Sequence, residues 1–148
     1  MFSKTATPKM IAKASPPDGY KSIVSNSPFG WHVGPFFEKE MPGNRVKRGF
    51  RVADDHLNAG GVCHGGMLMT FADILIASAV FKVAAPPFVT IKLSTNFVSS
   101  AKCGQWVEGE AEVVGLQDGF ASVEAALRNE SEAVATISAV FKALGARR

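Results

Sequence analysis

Asp73 is the only acidic residue in the largely apolar run from Met67 to Val83, and just ahead of that run stand Asn58, Cys63, His64, Gly65 and Gly66. A helix that is apolar on every side is normally a buried one. Burying a lone carboxylate costs several kcal/mol unless it is paired or neutralised. Asp73 must therefore be compensated by a neighbouring hydroxyl or amide, or used as enzymes use a base in apolar surroundings. The Gly65-Gly66 pair has two readings as well. Glycine at a helix start can simply permit close packing. Alternatively, the unpaired amides of the first turn, backed by the positive end of the helix dipole, meet a developing oxyanion, and glycine lets a carbonyl approach them.

Spacing constrains how the two could cooperate. Asp73 lies eight residues beyond Gly65, about 12 Å along a helix, so no single carbonyl touches both groups of one chain. If both act on one substrate, two helices lie side by side about a twofold axis, with the carboxylate from one subunit and the amide from the other. Asn58 is either a turn residue or an amide that orients a water or a carbonyl. His64 is placed to cap the helix or to contact a phosphate or carbonyl. Cys63 beside His64 suggests a thiol nucleophile, but adjacent residues rarely reach mutual hydrogen-bonding geometry. His32, His56 and His64 show no metal-ligand spacing.

The elements that must hold these groups can be read from period and punctuation. Residues 1–28 form an N-terminal segment, a short helix near Pro8 to Ala14 or partly disordered chain, followed by the turn Pro16-Pro17-Asp18-Gly19. A single domain is expected over 29–148. Strand-like stretches from Phe29 to Glu40 and from Arg45 to Ala53 flank Met41-Pro42-Gly43-Asn44 as a hairpin. The helix is expected from about Gly65 to Ala84, stopped by Pro86-Pro87. Four strand-like runs follow: Val89 to Phe97, Gln105 to Leu116, Phe120 to Asn129 and Ala133 to Ala143. The fold class is α+β, with one long central helix wrapped by a curved antiparallel sheet of five to six strands.

Composition sets the frame. The chain has 148 residues, 47% of them apolar, enough for one proper core. A net charge of +3 without a basic run longer than Arg147-Arg148 gives no nucleic-acid footprint, though it suits a polyanionic small molecule. Two cysteines make no disulfide framework and suit a reducing cytosol. The opening MFSKTATPKMIAKASPP lacks the apolar core of a secretory signal. The central run, broken by Asp73 and Lys82, reads as a core helix and not a membrane span. A cytoplasmic protein is expected.

The order Asn58, then His64-Gly65-Gly66, then Asp73 resembles the hotdog-fold acyl-CoA thioesterases, and most of all the phenylacetate-degradation type within the 4-hydroxybenzoyl-CoA thioesterase superfamily. The resemblance spans residues 28 to 143 and includes Val89-Thr90-Ile91-Lys92-Leu93, the turn Ser100 to Gly104 and the closing Ala139-Val140-Phe141-Lys142. It implies that the Gly65 N–H polarises a thioester carbonyl and that Asp73 of the partner subunit is nucleophile or general base. Asn58 would orient the water or the carbonyl, and Thr90 stands where a hydroxyl commonly holds that water. His64, Gly66 and Lys102 would contact substrate. Aspartate in place of glutamate favours the phenylacetate-degradation branch. The resemblance also implies an obligate homodimer, a homotetramer built from two dimers, and no cofactor beyond the coenzyme A of the substrate. The loop Gly115 to Gly119 departs from the family in lacking a basic residue near the coenzyme A phosphates, which leaves Lys102, Arg128 and Lys142 as candidates. Phe29, Trp31, Phe71 and Phe81 are candidates for an acyl pocket. Two rivals share the fold. An acyl-thioester hydratase would carry an Asp-x-Asn-Pro-x-His signature, which is missing here, and a non-catalytic acyl-CoA-binding or sensing module would need no carboxylate in the helix.

Overall fold

Proline, serine and glycine punctuation divides the chain into short helices and strands around one long helix. The computed structural model describes residues 2–145. In order, the elements are α1 (Pro8–Ala14), β1 (Lys21–Ser22), α2 (Pro28–Val33), β2 (Phe37–Lys39), β3 (Val46–Arg51), α3 (Gly65–Phe81), β4 (Phe88–Phe97), β5 (Trp106–Gln117), β6 (Phe120–Arg128) and β7 (Ala133–Ala143), with a single 3₁₀ turn at Asp54–His56. The strands pair antiparallel throughout in the order β1-β2-β3-β5-β6-β7-β4. The sheet curves around α3, which is the hotdog arrangement.

The sheet-facing side of α3 carries Phe71, Ala72, Leu75, Ile76 and Ala79, all 0% exposed. Their spacing of three and four residues puts them on one stripe. Each large side chain so buried contributes about 1.5–3 kcal/mol relative to exposure. Helix and sheet approach closely at Gly109 of β5, where a Cβ would sit 2.6 Å from Leu75 Cδ2 and 2.5 Å from Leu127 Cδ2. Only glycine lets α3 settle at this depth. Across the sheet, Asp118 and Gly119 both take positive φ (52° and 76°) between Gln117 and its partner Phe120, the geometry of a tight two-residue hairpin.

Four expectations change. The sheet has seven strands rather than five to six, because the N-terminal segment adds the two-residue β1 beside β2. That segment also places Ala6, Ala14 and Ile23 among the buried side chains. Within Phe29 to Glu40, residues Pro28–Val33 are helical and only Phe37–Lys39 is strand. Ser27 Oγ accepts the Gly30 N–H at 3.0 Å and Pro28 occupies the first turn, so a capped start prevails over aromatic strand propensity. The long helix stops at Phe81 rather than Ala84, since Lys82 and Val83 donate to Ala79 and Val80 in tighter i→i+3 bonds.

The fourth concerns burial. Although α3 is apolar nearly all round, it is covered on one side alone: Met69, Asp73, Ile74, Ala77 and Ser78 are half-buried and Phe81 is 59% exposed. The sheet is too short to reach them, ending in β4 as a bare edge that carries exposed Val89, Ile91 and Phe97.

Candidate active site

The candidate residues fall into two groups at different heights on α3. The first is Asp73 with Thr90. Thr90 Oγ1 donates to Asp73 Oδ1 at 2.8 Å. The β4–β7 register shifts between Thr90 and Lys92, leaving Ile91 as an extra residue, and a bulge of this kind re-aims the neighbouring side chain, here toward the helix. Asp73 is therefore compensated by a hydroxyl and stands on the open side of α3, not inside the core. Its second carboxylate oxygen has no hydrogen-bond partner among the described residues, so it remains available to a water proton or to a carbonyl carbon.

The second group is the loop 58–66, held from three directions. Asn58 Oδ1 accepts from Gly60 N at 2.9 Å and Val62 N at 3.3 Å, so its carbonyl shapes the loop and its amide N–H groups alone face outward. The Cys63 N–H donates to Ala101 O and the His64 N–H to the carbonyl of His56, each at 2.8 Å. His56 is a buried strut, its ring nitrogens engaging Ala53 N and Val33 O. Val62 bridges to Lys102, which brings that exposed lysine beside the loop.

Capping decides which amide is free. His64 Nδ1 accepts the Gly66 N–H at 2.8 Å, and the His64 carbonyl accepts from Met67 and Leu68. The Gly65 N–H is left without a partner among the described residues. So the structure withholds the Gly66 amide, one of the two glycines expected to meet substrate, and presents Gly65. The Phe97 ring lies against Gly65, 3.1 Å from where a Cβ would be.

Cys63 is buried, and burial pushes its thiol up to about 11. It stays protonated at neutral pH and is a poor nucleophile. Among the basic candidates, Lys142 Nζ donates to Asp118 O at 2.7 Å and sits 4.0 Å from the Phe120 ring centroid, while Arg128 borders a groove on the outer sheet face with Lys47 and Arg51. Neither lies at Asp73 or Gly65.

A cleft of about 360 Å³ adjoins Asp73. Its walls are Ile74, Ala77 and Phe81 of α3, with Ile23, Trp31 and Phe36 opposite and Arg48 between. Of the four aromatic candidates, Trp31 and Phe81 line it, Phe71 is core and Phe29 is 59% exposed. Arg48 is not distinguished by sequence patterning. The available signal was a cation at the inward position of β3 between Val46 and Phe50.

Residues 60–136 match the thioesterase superfamily. A Pseudomonas aeruginosa protein provisionally named an esterase is 32% identical over 127 residues, which span 84% of this chain and 95% of that protein. Among solved structures, a Thermus thermophilus protein superposes with a TM-score of 0.72 at 25% identity, covering 81% of this chain and 100% of that one. The PaaI protein of the Escherichia coli phenylacetic acid degradation operon gives 0.74 at 20% identity over 81% and 86%. A Streptococcus mutans protein solved with acetyl CoA gives 0.71 at 22% identity over 78% and 93%.

Proposed function

The chain belongs to the thioesterase superfamily and is a hotdog thioester hydrolase, and on that premise we propose that it hydrolyses acyl-CoA thioesters at sites shared between two copies of the chain. One observation carries the reading. Capping consumes the Gly66 amide and leaves the Gly65 N–H free, while Asp73 is offered on a side of α3 that its own chain covers only in part. The bare β4 edge and the half-open apolar side of α3 are adjacent liabilities in a lone chain. Both are relieved when two β4 edges pair antiparallel and two α3 helices lie side by side about the twofold axis. That arrangement would bring Gly65 of the partner subunit to Asp73. A tetramer of two such dimers rests on resemblance alone.

At that site the thioester oxygen accepts the free Gly65 N–H, and the tetrahedral oxyanion gains from the helix N-terminus. That oxyanion forms in one of two ways. Asp73 takes the proton of a water that adds to the carbonyl carbon, and the C–S bond then breaks with the proton passing to the departing coenzyme A thiolate; or Asp73 itself adds to the carbon and expels the thiolate, giving a mixed anhydride that water opens to the free acid and the regenerated carboxylate. Thr90 fixes Oδ1, so Oδ2 points at the reaction. Asn58 has only its N–H groups to offer and would donate to the carbonyl rather than accept from water. Lys102, beside the glycine loop, would meet the charged part of coenzyme A. The likeness to the acetyl CoA complex supports acyl-CoA as the substrate class.

The test is release of free thiol from short-chain, medium-chain, long-chain and aryl-acetyl CoA thioesters by the native protein and by Asp73→Asn. We expect turnover on at least one acyl class and a loss of about 10²–10⁴-fold in the variant. Equal rates would remove Asp73 from the chemistry.

A further inference from the structure

Arg48 is an unusual group to find in the largely apolar cleft beside Asp73, where the acyl group of a thioester held at Asp73 would lie. On β3 it shares the inward face with Val46 and Phe50, both buried against the core. Its side chain is only 16% exposed. Nη1 donates to Ile74 O at 3.3 Å, next to the backbone of Asp73, and Nη2 donates to Glu38 Oε2 at 3.1 Å. A guanidinium has five N–H donors. Two are used, and the buried Nε has no partner.

A desolvated cation with idle donors is destabilising where an apolar residue of similar length would pack freely. Among the described residues that line the cleft Arg48 is the one cation. Ser27 caps α2, Ser78 Oγ donates to Leu75 O, and Trp31 Nε1 donates to Ser25 O. Ser3 and Asn26 stand at the exposed rim, and the apolar wall of Ile23, Ile74, Ala77 and Phe81 suits a hydrocarbon body.

We propose that Arg48 is a specificity-determining residue of this cleft, and that it selects acyl groups bearing an uncharged oxygen, a hydroxyl or oxo group, on an otherwise apolar body. Charge balance chooses the neutral oxygen over a carboxylate. Glu38 already offsets Arg48, and Asp73 puts a further negative charge on the cleft wall, so a carboxylate tail would meet net repulsion. A hydroxyl or oxo oxygen adds an acceptor for the idle donors and no charge. The inference rests on the thioesterase reading and names its acyl class.

The experiment compares kcat/KM for alkanoyl, ω-hydroxyalkanoyl and ω-carboxyalkanoyl CoA of equal chain length, in the native protein, Arg48→Met and Glu38→Gln. The native protein should favour the hydroxyl over the plain chain by about 10-fold or more. In Arg48→Met that ratio should fall to near unity. Glu38→Gln leaves Arg48 unbalanced and should raise the carboxylate substrate about 10-fold relative to the others. A preference that survives Arg48→Met, a native preference for the plain or carboxylate chain, or no response in Glu38→Gln would each overturn the proposal. If none of the three thioesters is turned over, the hydrolase reading is decided separately by the wider acyl-CoA panel, and fails only if that panel too is left intact. The Arg48 proposal is then decided by calorimetry with non-hydrolysable thioether analogues, where equal Kd for hydroxyl and plain chains, or a difference unchanged in Arg48→Met, overturns it.

Discussion

The two sides of α3 are built from similar residues and have opposite fates. Facing the sheet, Phe71, Ala72, Leu75, Ile76 and Ala79 are sealed. Turned away, Met69, Ile74 and Ala77 are half-covered and Phe81 is largely bare, with Asp73 among them. Apolar composition states that a surface will be buried but not by which chain. The sealed side sets the depth and angle of the helix, through contacts as close as Leu75 over Gly109. The open side, held rigid from behind, is free to carry a carboxylate and to receive a second copy.

This contrast separates stability from activity, and substitutions can be aimed at one side or the other. The largest effect should come from Asp73→Asn on the open side. Hydrolysis should drop about 10²–10⁴-fold with the thermal midpoint unchanged, because the amide oxygen still accepts from Thr90. On the sealed side, Leu75→Ala should cost about 2–5 kcal/mol in urea unfolding, and the residual folded protein should keep its kcat. Thr90→Val, which leaves Asp73 in place without its donor, should slow turnover about 10-fold and leave unfolding alone. A fall in stability comparable to that of Leu75→Ala would mean that Thr90 belongs to the core after all.

A smaller effect lies on the outer sheet face, remote from α3. Burial works against ionisation of Glu108, yet hydrogen bonds from Tyr20, Lys47 and Trp106 hold its carboxyl below the ordinary value. Since the folded-state value lies below the unfolded one, the stabilisation is complete above the unfolded value near 4.5 and disappears as pH falls through the folded value. Tyr20→Phe should therefore lower stability at pH 7 by under about 1 kcal/mol and flatten the acid limb of a stability-pH curve. Turnover at neutral pH should be untouched.

Much of this was legible in the sequence where one local rule dominates. Thr7 and Pro8 start α1 and Ala133–Ala143 is a strand with the expected bounds, since capping and alternation act within a few residues. The one-helix, wrapped-sheet plan was legible for the same reason. Other features depend on which of two competing local rules prevails, or on contacts between residues far apart in the chain. The aromatic run after Pro28 has strand-like composition, and the Ser27 cap made it a helix. The His64-Gly65-Gly66 motif suggests two equivalent amides, and the His64 ring made them unequal. Arg48 reads as an ordinary strand cation until Ile74 and Glu38 are found around it. The thioester chemistry itself entered through resemblance, because glycine, aspartate and asparagine at these spacings also satisfy purely structural readings.

If each site takes Asp73 from one subunit and Gly65 from the other, mixed dimers will show it. Asp73→Asn and Gly65→Val, each inactive as a homodimer, would be unfolded together, refolded, and assayed for thiol release after hybrid dimers are verified by mass. A site shared between subunits leaves one intact Asp73–Gly65 pair in every hybrid, so activity should return to about a quarter of native for random mixing. Hybrids that form and stay as inactive as the parents would place both groups in one subunit and contradict the account.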